Sequence, residues 1–176
     1  MDKETLKNRF IGIYDVQSDA IFRYCFFRIS DREVATDLTQ ETFTKLWDYL
    51  ASGKEINNDR AFIFMIARNL IIDYYRKKKS LSLDAILEED EDKMFMSDEN
   101  KTKEDADMSV EARFVMDKIS LLPANAQQII YLRFVEGLNP KEIGDVLGVT
   151  SNAVSVRVIR ALDKLRELTG YNIEDK

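Results

Sequence analysis

Apolar side chains recur at every third or fourth position along most of this chain, and no stretch alternates apolar and polar residues with period two. The spacing predicts helices over about 3–29, 32–52, 61–78, 109–121 and 124–136, then a closely spaced pair ending near Leu168. Glycines and prolines fall where these segments end: Gly53 after the second, Pro123 after the fourth, Gly137 after the fifth. Asn139-Pro140-Lys141-Glu142 reads as an N-cap, a proline at the first helical position and a capping-box glutamate. That short helix stops at Gly148, and Thr150 or Ser151 caps the last one. The expected fold class is all-α.

Between 81 and 108 the pattern breaks. Residues 84–107 hold eleven acids against three lysines, a net of −8, so the rest of the chain carries +2 of the total −6. A segment so acidic and so poor in aromatics cannot bury enough surface to offset chain entropy. We therefore expect two small helical domains, 1–80 and 109–176, on a flexible acidic linker over 81–108, with one short helical patch at Leu81–Leu87. Outside the linker, positive charge gathers in Arg76-Lys77-Lys78-Lys79 and in Arg157, Arg160, Lys164 and Arg166. An overall acidic chain can bind nucleic acid when its acid is confined to a tether.

The residue inventory argues against catalysis. Histidine is absent, which removes the commonest general base and metal ligand together. Cys25 is the sole cysteine and sits in an apolar run, as a buried thiol would. No metal site, cofactor or catalytic residue is expected. No stretch approaches the roughly 20 apolar residues that span a bilayer, and the N-terminus lacks a signal-peptide layout. The expectation is a cytoplasmic protein with no direct membrane insertion.

Three surfaces carry candidate chemistry. In the last helix Val154, Val158, Ala161, Leu162 and Leu165 share a face suited to packing on Ile143, Val146 and Leu147. The opposite face presents Asn152, Val156, Ile159 and Arg160, flanked by Ser155 and Arg157. Such groups reach base edges, phosphates and thymine methyls, and two helices joined at Gly148-Val149 match a helix-turn-helix. A hairpin with a solvated charged face is the other reading; exposed apolar residues beside arginines favour DNA.

The second surface is a polar band of Asp37, Gln40, Glu41 and Thr44 beside Trp47, with Val34, Leu38, Phe43 and Leu46 toward a core. Its tryptophan is either an interface anchor or a core-edge residue. The third is a stripe of Asn69, Asp73 and Arg76, with Arg68 at its margin, on an otherwise apolar helix beneath the polar loop Lys54–Arg60. Asn69 reads there as a base-reading amide or as a buried structural one.

The segments DLTQETFTKLW, FIFMIARNLIIDYYRKKK and LPANAQQIIYLRFVEGLNPKEIGDVLGVTSNAVSVRVIRALDKLRE resemble the sigma-70 family of bacterial transcription initiation factors, in its extracytoplasmic-function (ECF) branch. The resemblance covers about 5–80 and 109–168. It implies that Asp37, Leu38, Gln40, Glu41, Phe43 and Trp47 hold core RNA polymerase. It implies that Asn57, Asn58, Asp59, Arg60, Phe62 and Asn69 read the −10 element as single strand, with Arg68, Arg76, Lys77 and Lys78 on the adjoining backbone. The duplex −35 element would fall to Asn152, Ser155, Val156, Arg157, Ile159 and Arg160, and an anti-sigma factor is an implied partner. Two departures bear on promoter sequence: the loop before Phe62 is slightly long, and Ser155-Val156 replaces a basic then small polar pair. The reading from another class is a stand-alone helix-turn-helix regulator, which leaves the N-terminal helices idle.

Overall fold

The computed structural model describes residues 3–81 and 110–170. All its regular elements are helical: α1 (Lys3–Ile29), α2 (Arg32–Ala51), α3 (Asp59–Leu81), α4 (Val110–Ile119), α5 (Ala124–Ile130), α6 (Pro140–Leu147) and α7 (Ser151–Thr169). The chain divides into two compact units, α1–α3 in one and α4–α7 in the other. The expected acidic linker beyond Leu81, its helical patch and residues 171–176 lie outside the described residues.

In the first unit each of the three helices packs on the other two. Leu6, Ile13, Ala20, Ile21 and Tyr24 of α1 are buried at helical spacing. Facing them are Ala35, Leu38, Phe43, Leu46 and Leu50 of α2, and Ile63, Phe64, Ala67, Leu70 and Ile71 of α3. Fully burying a side chain of this size stabilises by roughly 1.5–3 kcal/mol. Tyr24 meets Phe64 edge-on at 5.4 Å. The α1–α2 corner is tight: Ser30 sits at φ 56°, and its N–H donates to Phe26 O (2.8 Å). Asp31 then caps α2 by accepting from Val34 N–H (3.0 Å).

Helix α3 starts two residues earlier than its apolar pattern predicts. The cause is Asn58, whose Oδ1 accepts from Ala61 N–H (2.9 Å) and closes the first turn.

In the second unit α4, α5 and α6 all pack against α7. The expected helix over 124–136 is regular only to Ile130; Tyr131–Val135 form a π-helical turn. Glu136 N–H donates to Tyr131 O (3.1 Å), five residues back, while Tyr131 Oη donates to the buried Glu136 carboxylate (3.1 Å). The widened turn leaves Leu132 and Leu138 both fully buried.

Candidate nucleic-acid interface and docking face

The α6–α7 corner is set by three sequence-local devices. Asn139 Oδ1 accepts from the N–H groups of Lys141 (2.9 Å) and Glu142 (3.0 Å), and Glu142 Oε2 accepts from Asn139 N–H (2.8 Å). Gly148 ends α6 in the left-handed region at φ 68°. Thr150 Oγ1 accepts from Ala153 N–H (3.2 Å) and starts α7. Within α6, Gly144 lets the connection pass close: a Cβ there would lie 2.6 Å from Val149 O.

This corner presents α7 as expected. Val154 and Ala161 are buried, Val158, Leu162 and Leu165 half-buried, against the buried Ile143 and Val146 and half-buried Leu147. On the other side Asn152 is exposed, with Val156 (40%) and Ile159 (59%) beside it. Arg157 and Arg160 are exposed too, while Ser155 is half-buried and its hydroxyl donates to Ser151 O (3.0 Å). Two accessible apolar side chains, Val156 and Ile159, thus stand on an otherwise polar helix face.

On α2 the band is divided by burial. Asp37, Gln40, Glu41, Thr44 and Trp47 are exposed, Trp47 at 37%. Leu38 and Phe43, placed in the polymerase set by resemblance, are buried and hold the helix from beneath. Trp47 stands edge-on to Phe10 (5.3 Å), and Tyr14 packs on Phe43 (4.7 Å). The half-exposed Tyr14 of α1 therefore joins the cluster, a neighbour that only helix packing reveals.

The residues expected to read a single strand separate into two groups. Phe62, Asn69 and Arg76 recur every seven residues along α3 and share a stripe. Asn69 is exposed, which overturns the buried structural alternative. Arg76 lies 3.5 Å from Asp73; Lys77 and Lys78 are exposed, and Arg68 is half-buried. Phe62 packs on Tyr49 (4.4 Å), over which Lys54 Nζ sits at 5.3 Å. That aromatic–cation group extends the stripe with two residues the sequence did not single out.

Asp59 and Arg60 turn away, toward α1. Asp59 accepts from Arg9 (2.6 Å), which also donates to Ile56 O (3.3 Å), and both line a cleft of about 360 Å³ with Asn8, Gly12 and Gln17. Asn58 is spent on the helix cap, leaving Asn57 as the exposed asparagine of the loop.

Two buried groups serve the fold. Burial pushes the Cys25 thiol up to about 12, against a lowering hydrogen bond from Thr39. Arg28 is held below its ordinary value by desolvation, and its carbonyl accepts from Tyr75 Oη (2.6 Å). Among the described residues there is no cluster suited to a metal ion, and no helix is long and apolar enough to cross a membrane.

Comparison with known families matches residues 14–81 to Sigma-70 region 2 and residues 119–167 to Sigma-70, region 4, between them more than half of the chain. The chain belongs to the sigma-70 family. Its curated relatives place it in the ECF branch. It is 29% identical over 166 residues to ECF RNA polymerase sigma factor SigW of Bacillus subtilis, covering 92% of this chain and 89% of SigW. It is 28% identical to ECF RNA polymerase sigma factor BldN of Streptomyces coelicolor, covering 89% of this chain and 58% of BldN. The fold is shared with the sigma factor RpoE of Bartonella quintana, solved in complex with the anti-sigma factor NepR. That match has a TM-score of 0.70 and 21% identity, and covers 93% of this chain and 98% of that one. This sigma factor thus carries regions 2 and 4, on separate helical units.

Proposed function

We propose that this ECF sigma factor holds core RNA polymerase through the exposed face of α2 and reads a promoter at two places. The polymerase face is Asp37, Gln40, Glu41 and Trp47, with Leu38 and Phe43 fixing its shape. The −10 element is taken as single strand on the stripe of Phe62, Asn69 and Arg76, with Asn57, Tyr49 and Lys54 above it and Arg68, Lys77 and Lys78 on the backbone. Stacking on an aromatic beside a cation suits an unpaired base. The −35 duplex is read by Asn152, Ser155, Val156 and Ile159, with Arg157 and Arg160 beside them.

The carrying observation is α7: a capped helix-turn-helix presents exposed Val156 and Ile159 between an amide and two guanidinium groups. A stand-alone regulator would leave region 2 and its exposed Trp47 without a task. The protein supplies no catalytic group, works in the cytoplasm without entering a membrane, and uses no cofactor. Domains 1–80 and 109–176 act as separate readers on the 81–108 tether. The anti-sigma complexes of its structural relatives support an anti-sigma partner here.

Strand opening tests the reading. With core polymerase added, thymines of a −10 element become permanganate-reactive; the protein alone leaves them protected. Reactivity without core, or none with it, would contradict the proposal.

A further inference from the structure

Nη2 of Arg9, on α1, donates to the Asp59 carboxylate (2.6 Å) and to Ile56 O (3.3 Å), 50 and 47 residues further along the chain. These acceptors bracket the end of the loop that leads into α3. Ile56 precedes the exposed Asn57, and Asp59 is the first residue of the helix. The side chains of the ion pair are 31% and 37% exposed, at the edge of the cleft beside Asn8 and Gln17. A pair so accessible adds little to overall stability, so its consequence is geometric. Because the guanidinium is planar, its N–H directions are fixed, and holding both acceptors at once sets the place of the loop against α1. Further ties of this loop are local: Gly53 N–H donates to Leu50 O (3.1 Å), and Asn58 caps α3 through Ala61 N–H (2.9 Å). Phe62 N–H in turn donates to Asn58 O (3.0 Å), which couples the loop to the first residue of the α3 stripe.

We infer that Arg9 is a positioning residue for −10 reading: it pins Ile56 and Asp59 to α1 and so holds the Asn57 amide ready for an unpaired base. The inference rests on the −10 reading above and adds to it a residue outside the base-contacting stripe. The chain from Ser52 to Asn58 has no regular structure of its own, so it has freedom to lose when a base docks. Ordering it beforehand on α1 removes part of that cost from the binding step. The anchor on α3 is itself well placed, since the Asp59 carboxylate lies in the first turn, at the positive end of the helix. Asp59 then acts through the position of the loop, which accounts for its turning away from the stripe.

The test uses the full chain bound to core polymerase, on promoters whose −10 element is varied one base at a time, with strand opening read by permanganate. Arg9→Gln and Asn57→Ala should relax preference at the same base, Arg9→Gln by about fivefold. Core affinity and −35 duplex binding should stay at their wild-type values. In an Asp59→Asn background Arg9→Gln should cost less, because the two side chains act through one contact. Hydrogen exchange should show the amides of residues 53–57 opening faster in Arg9→Gln while the buried amides of α1 and α3 keep their protection. Full −10 preference in a folded Arg9→Gln variant would overturn the inference. So would losses that add to those of Asp59→Asn, which would mean that Arg9 meets the DNA itself. Preference lost together with protection of α1 and α3 would make Arg9 a folding residue and overturn it too. If the wild type shows no preference among −10 variants, the −10 reading fails and takes the inference with it, which is a separate result.

Discussion

Single atoms decide several features of this sigma factor. At Gly144 a methyl group would press within 2.6 Å of Val149 O, a backbone atom that cannot swing aside. Gly144→Ala should therefore destabilise the C-terminal unit by about 1–3 kcal/mol, read as a lower thermal midpoint. Cys25 gives a pH signature. Its thiol ionises near 9 in an unfolded chain and near 12 in the fold, so the native state binds the extra proton between those values. Stability of the N-terminal unit should thus hold below pH 9 and fall above it, by at most about 1.4 kcal/mol per pH unit from this group. Cys25→Ser should flatten that alkaline decline in urea titrations at pH 8 and 10. Trp47 and Gln40 serve a partner on this account: the Gln40→Ala, Trp47→Ala double variant should keep its helicity while core affinity drops about 30-fold or more. Wild-type co-purification with core would remove α2 from the docking face.

At the scale of elements, the helices were legible because their signals are local. The apolar period, Asn139-Pro140-Lys141-Glu142, Gly148 and Thr150 each act within a few residues of themselves, and the structure uses each of them. The π-helical turn after Ile130 was not legible, since it depends on how the buried Glu136, Tyr131 and Leu138 settle against neighbouring helices. The candidate sites show the same division. The exposed face of α7 follows from spacing alone. The turning of Asp59 and Arg60 toward α1 is a tertiary fact with no local signature. Along α3 the stripe predicts a selective defect. Asn69→Ala should impair strand opening and −10 base preference while leaving −35 duplex binding unchanged, as separate permanganate and duplex-binding measurements would show. Equal loss in both would mean that Asn69 serves general folding.

For the whole molecule, charge and covalent layout give the logic. Segregating a net −8 into residues 84–107 leaves both reading units free of it in sequence, so a chain of net −6 still offers cationic faces. Two weak promoter contacts on one chain gain strength when a scaffold fixes their spacing, because the second contact becomes intramolecular. Core polymerase is that scaffold on this account, so promoter recognition should be a property of the assembly and barely measurable in the sigma factor alone. Run-off transcription with purified core polymerase, on templates carrying matched −35 and −10 elements selected from random DNA by the holoenzyme, tests this most directly. The account predicts a transcript of defined start that requires this protein and disappears when either element is scrambled. A transcript indifferent to both elements, or tight duplex binding without core and no transcript with it, would contradict it.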